Sequence, residues 1–157
     1  MVIKNDPDMT NWTIRHFSQL TTEELYAVLR LRSEVFVVEQ NCVFLDMDNK
    51  DQYCHHVLGW QGSFLAACAR IVPAGISYVE SSIGRIVTSP AARRSGIGRK
   101  LVEVSIDHLY TLHGKLPIHI GAQHYLKKFY ESFGFVQKGE IYLEDGIEHI
   151  EMLLANH

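Results

Sequence analysis

Apolar and polar positions follow two rhythms along this chain, and the switches between them lay out its elements. Residues 12–17 alternate with the period of a strand. The spacing then changes. Leu25, Val28, Leu29, Arg32 and Phe36 share one helical face, which predicts a helix over 22–38. Thr21 and Thr22 are N-cap candidates, and Glu24, three residues after Thr21, fits a capping box. Residues 54–60 and 64–72 read as strands joined through Gln61-Gly62-Ser63, a hairpin. Pro73-Ala74-Gly75 breaks the second, and a third β-rich run covers 79–88 up to Ser89-Pro90. Leu101, Val102, Val104, Ser105, His108 and Leu109 place an amphipathic helix over 97–112, ended by His113-Gly114. Residues 117–121 form a short buried strand, and 124–133 a helix stopped by Gly134. Residues 135–139 and 148–155 make a closing β pair with Asp145-Gly146 in the turn between them.

This mixed order predicts an α/β or α+β fold, with helices packed on a central sheet. A length of 157 residues argues for one domain, taken as 12–157 with 1–11 as an N-terminal extension. A domain of this size buries roughly 70% of its unfolded surface and needs no disulfide or metal to fold. Cys42, Cys54 and Cys68 are odd in number and lack CxxC spacing, so neither a disulfide framework nor a zinc site is expected. Reduced thiols in a cytoplasmic protein are the simplest reading. The formal charge of −3 carries no basic excess, so no nucleic-acid partner is expected. No apolar run approaches the ~20 residues of a membrane span, and residues 1–11, with Lys4, Asp6 and Asp8, have no signal-peptide core. Residues 40–53 hold Asp46, Asp48, Asn49, Lys50 and Asp51. The downstream Gly and Glu of a calcium loop are missing, so an ordinary polar loop is expected.

Candidate chemistry concentrates in 84–100. A β-rich run passes through Pro90 into Arg93, Arg94, Ser95, Gly96, Ile97, Gly98, and a helix begins at once. The first N–H groups of a helix lack internal partners and carry partial positive charge. Glycines at 96 and 98 let a bulky anion approach the backbone. Arg93, Arg94, Arg99 and Lys100 add charges suited to a pyrophosphate or a 3′-phosphate. The Walker pattern and the dinucleotide fingerprint fit worse, because Gly98-Arg99-Lys100 lacks the Ser/Thr and position 101 is Leu. On the loop alone, a glycine-rich turn with solvated arginines stays open.

Arg93-x-x-Gly96-x-Gly98 after a strand and Pro90 resembles the acetyl-CoA signature of the GNAT superfamily of N-acetyltransferases. Phe129-Tyr130-Glu131-Ser132-Phe133-Gly134-Phe135 resembles that superfamily's later helix. Four further pieces, Val35 to Cys42, His56 to Trp60, Gly121-Ala122-Gln123 and Glu144 to Ile150, resemble its ElaA-like branch in order. The resemblance implies a mostly antiparallel, splayed central sheet flanked by helices. It implies acetyl-CoA as co-substrate, with its pantetheine arm on the backbone of Ile86, Val87 and Thr88 and its pyrophosphate on the amides of 93–99. It places Tyr130 as the acid that protonates the departing thiolate. The Val87 N–H is a candidate oxyanion donor. Gln123 stands where the superfamily often has Asn against the CoA arm.

The expected reaction is direct acetyl transfer, in a ternary complex, to a primary amine of a small molecule or peptide. The alternative is a non-catalytic acyl-CoA-binding or sensing module on the same fold. The cysteines are expected as small core or loop residues rather than nucleophiles. The general base stays open among Glu39, His56, Glu80 and His149, each near an element end, with a water chain as a further route. Arg70 and Arg85 either face the acceptor groove or pair with nearby acids. The sequence neither demands nor excludes a homodimer, and does not name the amine.

Overall fold

The computed structural model describes residues 9–155. Strands β1 (Asn11–His16), β2 (His55–Gln61), β3 (Phe64–Val72) and β4 (Ser82–Thr88) form one antiparallel sheet in that order. Strands β5 (Ile118–Gln123), β6 (Val136–Glu144) and β7 (Ile147–Leu154) form a second, in the order β5-β7-β6. The sheets touch at one parallel bridge, Ser81 to Ile118, where the His119 N–H donates to the Ser81 carbonyl at 3.0 Å. Beyond it no ladder joins β4 to β5 among the described residues. The two strands splay, and two edges of backbone polar groups face each other across a gap. The class is α+β, with the splayed sheet expected.

Helices α1 (Thr22–Arg32) and α2 (Ile97–His113) cover opposite faces of the first sheet, and α3 (Lys127–Glu131) follows β5. β3 is the near-continuous apolar run of a strand covered on both sides. Its alternation sends Ala67, Ala69 and Ile71 towards α2, where they meet Ile97, Leu101 and Leu109. Leu65 and Cys68 join Val28, Leu31 and Val35. Burying each large aliphatic chain here contributes roughly 1.5–3 kcal/mol. The α2 core continues into Ile120 of β5, Ile150 and Met152 of β7, Phe135 and Tyr130, and so ties the two sheets together.

The capping box is present: the Glu24 N–H donates to Thr21 Oγ1 at 3.1 Å and the Thr21 N–H to Glu24 Oε1 at 2.9 Å. The helix expected over 22–38 is not one winding. From Ser33 to Glu39 it is π-helical, and the Gln40 N–H reaches the Val35 carbonyl five residues back at 3.1 Å. The β-rich run 79–88 becomes a strand only from Ser82, because 73–81 turns back on itself through Gly75 N–H to Tyr78 O at 2.7 Å. The helix expected over 124–133 divides into a 3₁₀ turn, His124–Leu126, and the short α3. β6 runs to Glu144 rather than 139, since an irregularity between Lys138 and Tyr142, with Gly139 at φ 78°, interrupts its period without ending it. Asp145 and Gly146 then turn at φ 51° and 78°, the positive pair of a two-residue hairpin turn.

The loop at 40–53 is the largest departure from expectation. Asp46 and Asp51 are buried and hold Arg32, which is 1% exposed. Arg32 Nε donates to Asp46 Oδ2 at 2.8 Å, and Nη1 and Nη2 donate to Asp51 at 2.7 and 3.1 Å. The acids face inward because an arginine on the core face of α1 needs them.

Candidate active site

Strand β4 is bent by a bulge. Cys68 faces Val87 and Arg70 faces Gly84, so Arg85 and Ile86 oppose the single residue Ala69. Arg85 takes φ 48°, a conformation costing a non-glycine residue about 1–3 kcal/mol. The surroundings hold it there: Arg85 Nε donates to Asp46 Oδ1 and Nη2 to the Asp46 carbonyl, both at 2.8 Å. The bend carries β4 away from β5 and opens a cleft of about 900 Å³.

Backbone phase decides which β4 amides face this cleft. The Ser89 N–H donates to the Ala66 carbonyl of β3 at 2.8 Å. Alternation turns the Val87 N–H towards β3 as well and leaves Ile86 and Thr88 on the open edge. The Val87 side chain lies in the core against α1. Arg93 Nη2 reaches the Thr88 carbonyl at 3.4 Å, which shows that carbonyl turned outward.

The loop into α2 is built from local bonds. Pro90 opens a 3₁₀ turn capped by Ser89, whose Oγ accepts from the Ala91 N–H at 3.3 Å. Ser95 Oγ donates to the Ala92 carbonyl at 2.6 Å. Gly96 takes the left-handed N-cap position at φ 82°, and among the described residues no side chain caps the helix. The Lys100 N–H returns to Gly96 O at 3.2 Å, so the amides of Ile97, Gly98 and Arg99 precede the first helical bond. Ile97 offers only its amide, since its side chain is core. A Cβ on Gly98 would stand 3.7 Å from Thr88 Cγ2, so the bare glycine keeps the wall between loop and β4 low. This 17-residue helix points uncapped donors at the cleft mouth, and the residues fit an anionic pyrophosphate.

The basic side chains are distributed differently from one another. Arg93 pairs with Glu39 through two bonds, 2.9 and 2.7 Å. Arg99 donates to Ser132 Oγ at 2.6 Å and lies 4.5 Å over the Phe133 ring. Arg94 is exposed at φ 66°. Gln123 closes β5 and donates to Gln40 Oε1 at 3.2 Å.

Tyr130 is 5% exposed, packed edge-on against Phe129 and Phe135, and lines the cleft. Burial, with a smaller contribution from Tyr125, pushes its phenol well above the usual range. Its hydroxyl makes no hydrogen bond among the described residues. The phenol is therefore protonated at neutral pH and has a proton to give.

The four base candidates separate. His149 lines the cleft and faces Gln123 across the β5–β7 ladder. Its Nδ1 lies 2.8 Å from the Ile147 carbonyl, so that nitrogen carries the proton, and Nε2 stands 3.5 Å from Glu144 Oε2. Glu39 also lines the cleft, but Arg93 holds its carboxylate below the usual range. His56 is buried with its Nε2 on the Asp51 carbonyl at 3.0 Å, outside the cleft lining. Glu80 accepts from His119 Nδ1 at 3.2 Å and is also outside it.

Arg70 and Arg85 both line the cleft and both pair with acids. Arg70 donates to Asp48 at 2.8 and 2.6 Å and to Asp51 at 3.1 Å. Asp48, Lys50, Tyr78 and Tyr125, absent from the sequence-derived site, line the cleft too. The pattern held one signal for Asp48: arginines inside apolar stripes at 32 and 70 demand nearby carboxylates, and 46–51 supplies them. Cys54 and Cys68 are buried outside the cleft, their thiols pushed up to about 11 and about 12.

A sequence model of the acetyltransferase (GNAT) domain matches residues 6–155. The chain belongs to the GNAT acetyltransferase family. Protein ElaA of Escherichia coli K12 is 40% identical to this GNAT chain over 146 residues, covering 92% of this chain and 95% of that one. The crystal structure of an acyl-CoA N-acyltransferase from Pseudomonas aeruginosa superposes with a TM-score of 0.89 at 40% identity, covering 93% and 99% of the two chains. That of Escherichia coli ElaA gives 0.86 at 39% identity, covering 92% and 98%. The chain is thus an ElaA-like GNAT domain of acyltransferase type. Among the described residues, no helix is long and apolar enough to cross a membrane.

Proposed function

We propose that this domain transfers the acetyl group of acetyl-CoA directly to a primary amine of a small molecule or peptide. The observation that carries the reading is Tyr130: a buried phenol with an unpartnered hydroxyl shares one cleft with the uncapped start of α2. The α2 amides and Arg93 hold the pyrophosphate. The open edge of β4 at Ile86 and Thr88 pairs with the pantetheine arm, and Gln123 braces it from β5.

The amine nitrogen attacks the thioester carbonyl, and the negative charge gathers on its oxygen. The Ile86 N–H, rather than that of Val87, receives that charge, because Ile86 is in phase with the open edge. Collapse breaks the C–S bond, and Tyr130 gives its proton to the departing sulfur. His149 takes the proton of the attacking amine on Nε2, whose lone pair is fixed by the Nδ1–H bond to Ile147. Glu144, exposed at the hairpin, then pairs with the charged ring and passes the proton to water. No cysteine of the chain takes part.

Tyr130→Phe tests the reading. Thiol release falls by about 10²–10⁴, while acetyl-CoA binds in titration as tightly as to the unmodified protein. Unchanged turnover overturns the assignment. Acetyl-CoA binding without turnover on any amine leaves the domain as an acyl-CoA-binding module.

A further inference from the structure

The far end of the cleft, beyond the bulge, is more cationic than its fold requires. Arg70, Arg85 and Asp48 line it, and with Arg32, Asp46 and Asp51 behind them they form a network of three arginines matched by three aspartates. Both oxygens of Asp48 are committed: Oδ1 accepts from Arg70 Nη1 at 2.8 Å and the Lys50 N–H at 3.2 Å, and Oδ2 from Arg70 Nη2 at 2.6 Å and Arg85 Nη2 at 3.4 Å. That leaves the Lys50 ammonium as a fourth cation with no carboxylate. Its one partner among the described residues is the neutral Ser77 Oγ, at 3.4 Å. Lys50 is half-buried and lines the cleft. Arg85, which also lines the cleft, bonds through Nε and Nη2, and its Nη1 makes no hydrogen bond among the described residues. A half-buried cation without a counter-ion lacks the compensation such a group normally finds.

The opposite wall has the other sign. Glu144 and Asp145, exposed at the β6–β7 turn, line the same cleft beside His149. A ligand that complements both walls is cationic where the amine enters and anionic at its other end.

We propose that the acceptor is an amine carrying a carboxylate at its far end, with that carboxylate seated on Lys50 and Arg85. The inference rests on the acetyl-transfer reading for the position of the amine. Arg70, beside Asp48 and Lys50, stands opposite Gly84, two residues before Ile86 on β4. The carboxylate seat lies on side chains of the 46–51 loop and the bulge, and His149, which takes the amine proton, stands on β7. Separate seats for the two ends select an ω-amino acid or a short peptide over an α-amino acid that binds through its own carboxylate. A polyamine would bring a second cation to Lys50 and is disfavoured.

Three acceptors of equal length separate the charge at the far end: 6-aminohexanoate, 6-aminohexanamide and 1,6-diaminohexane, each with acetyl-CoA and thiol release as readout. The expected kcat/KM for the acid exceeds that for the amide and the diamine by about tenfold, the scale of one charge-assisted hydrogen bond. Lys50→Met removes that preference, Lys50→Arg retains it, and Lys50→Glu turns it towards the diamine. Equal use of the three acceptors by the unmodified protein, or preference for the diamine, overturns the inference. Acetyl-CoA binding without turnover of any of the three would count against acetyl transfer, and the anion seat is then judged by binding alone. There, 6-acetamidohexanoate raises the melting temperature of the unmodified protein but not of Lys50→Met, and 6-acetamidohexanamide raises neither. Equal shifts with acid and amide, or none with either, overturn it.

Discussion

Glu39 and Arg93, 54 residues apart in sequence, form a bidentate ion pair at 2.9 and 2.7 Å that joins the end of the π-helical segment to the loop before α2. The proposed pyrophosphate ligand must share Arg93 with this carboxylate. Both side chains are about two-fifths exposed, so the pair itself contributes between 0 and about 1 kcal/mol. Glu39→Gln is therefore expected to tighten acetyl-CoA binding by up to about fivefold. Arg93→Ala weakens it by about tenfold or more, since a charge-assisted bond to phosphate is lost. Isothermal titration of both variants measures the two effects, which have opposite signs.

Gly98→Ala separates folding from binding. The new Cβ meets Thr88 Cγ2 at an ordinary 3.7 Å, and alanine is the better helix former by about 0.8–1 kcal/mol. The melting temperature is expected to hold or rise. Acetyl-CoA affinity falls about tenfold because the methyl group stands where an anion would approach the amides. Thermal melts and titrations on the same sample check both.

Removing Arg32 takes one of two arginine partners from each of two buried carboxylates, leaving Asp46 with Arg85 and Asp51 with Arg70. Arg32→Ala is expected to destabilise the domain by about 3 kcal/mol, read by urea unfolding. Arg30, on the exposed side of the same helix, pairs with Glu34 at 3.3 Å, and Arg30→Ala costs at most about 0.5 kcal/mol.

Stability should fall on mild acidification. Burial lowers the pKa of His56 and, more weakly buried and beside His16 and His113, of His55, from the ordinary 6.5. Between the depressed folded value and 6.5 the unfolded chain binds more protons. The contribution of these groups is thus complete above pH 6.5 and is lost as pH falls through the folded values. The melting temperature declines from pH 7 towards pH 5.5. His56→Gln, which keeps a donor for the Asp51 carbonyl, flattens the decline.

The buried thiols should be silent. Cys54 and Cys68, with pKa values pushed up to about 11 and about 12, hold almost no thiolate at neutral pH. An aromatic disulfide reagent is expected to label neither until the chain is unfolded. Rapid labelling of either in the native protein would contradict their placement.

The chain's own pattern determined the element order, the capping box at Thr21, the two-residue turn at Asp145-Gly146 and the glycine loop before α2. Each rests on periodicity, or on backbone chemistry within a few residues, and such local preferences are written in consecutive positions. Tertiary structure decided the rest. The bulge at Arg85-Ile86 is a mismatch between two strands and appears in neither alone, yet it opens the cleft. The Ser89 to Ala66 bond, another contact between strands, fixes the backbone phase on which the proposed chemistry prefers Ile86 to Val87 as oxyanion donor. His149 and His56 look alike in sequence, but one faces the cleft and the other donates to a buried carbonyl, because their strands occupy different sheets. The acids of 46–51 read as a solvated loop until Arg32, Arg70 and Arg85, drawn from a helix and two strands, converge on them. A charge becomes structural or functional according to the partners that long-range packing brings near, and sequence spacing carries no record of that distance.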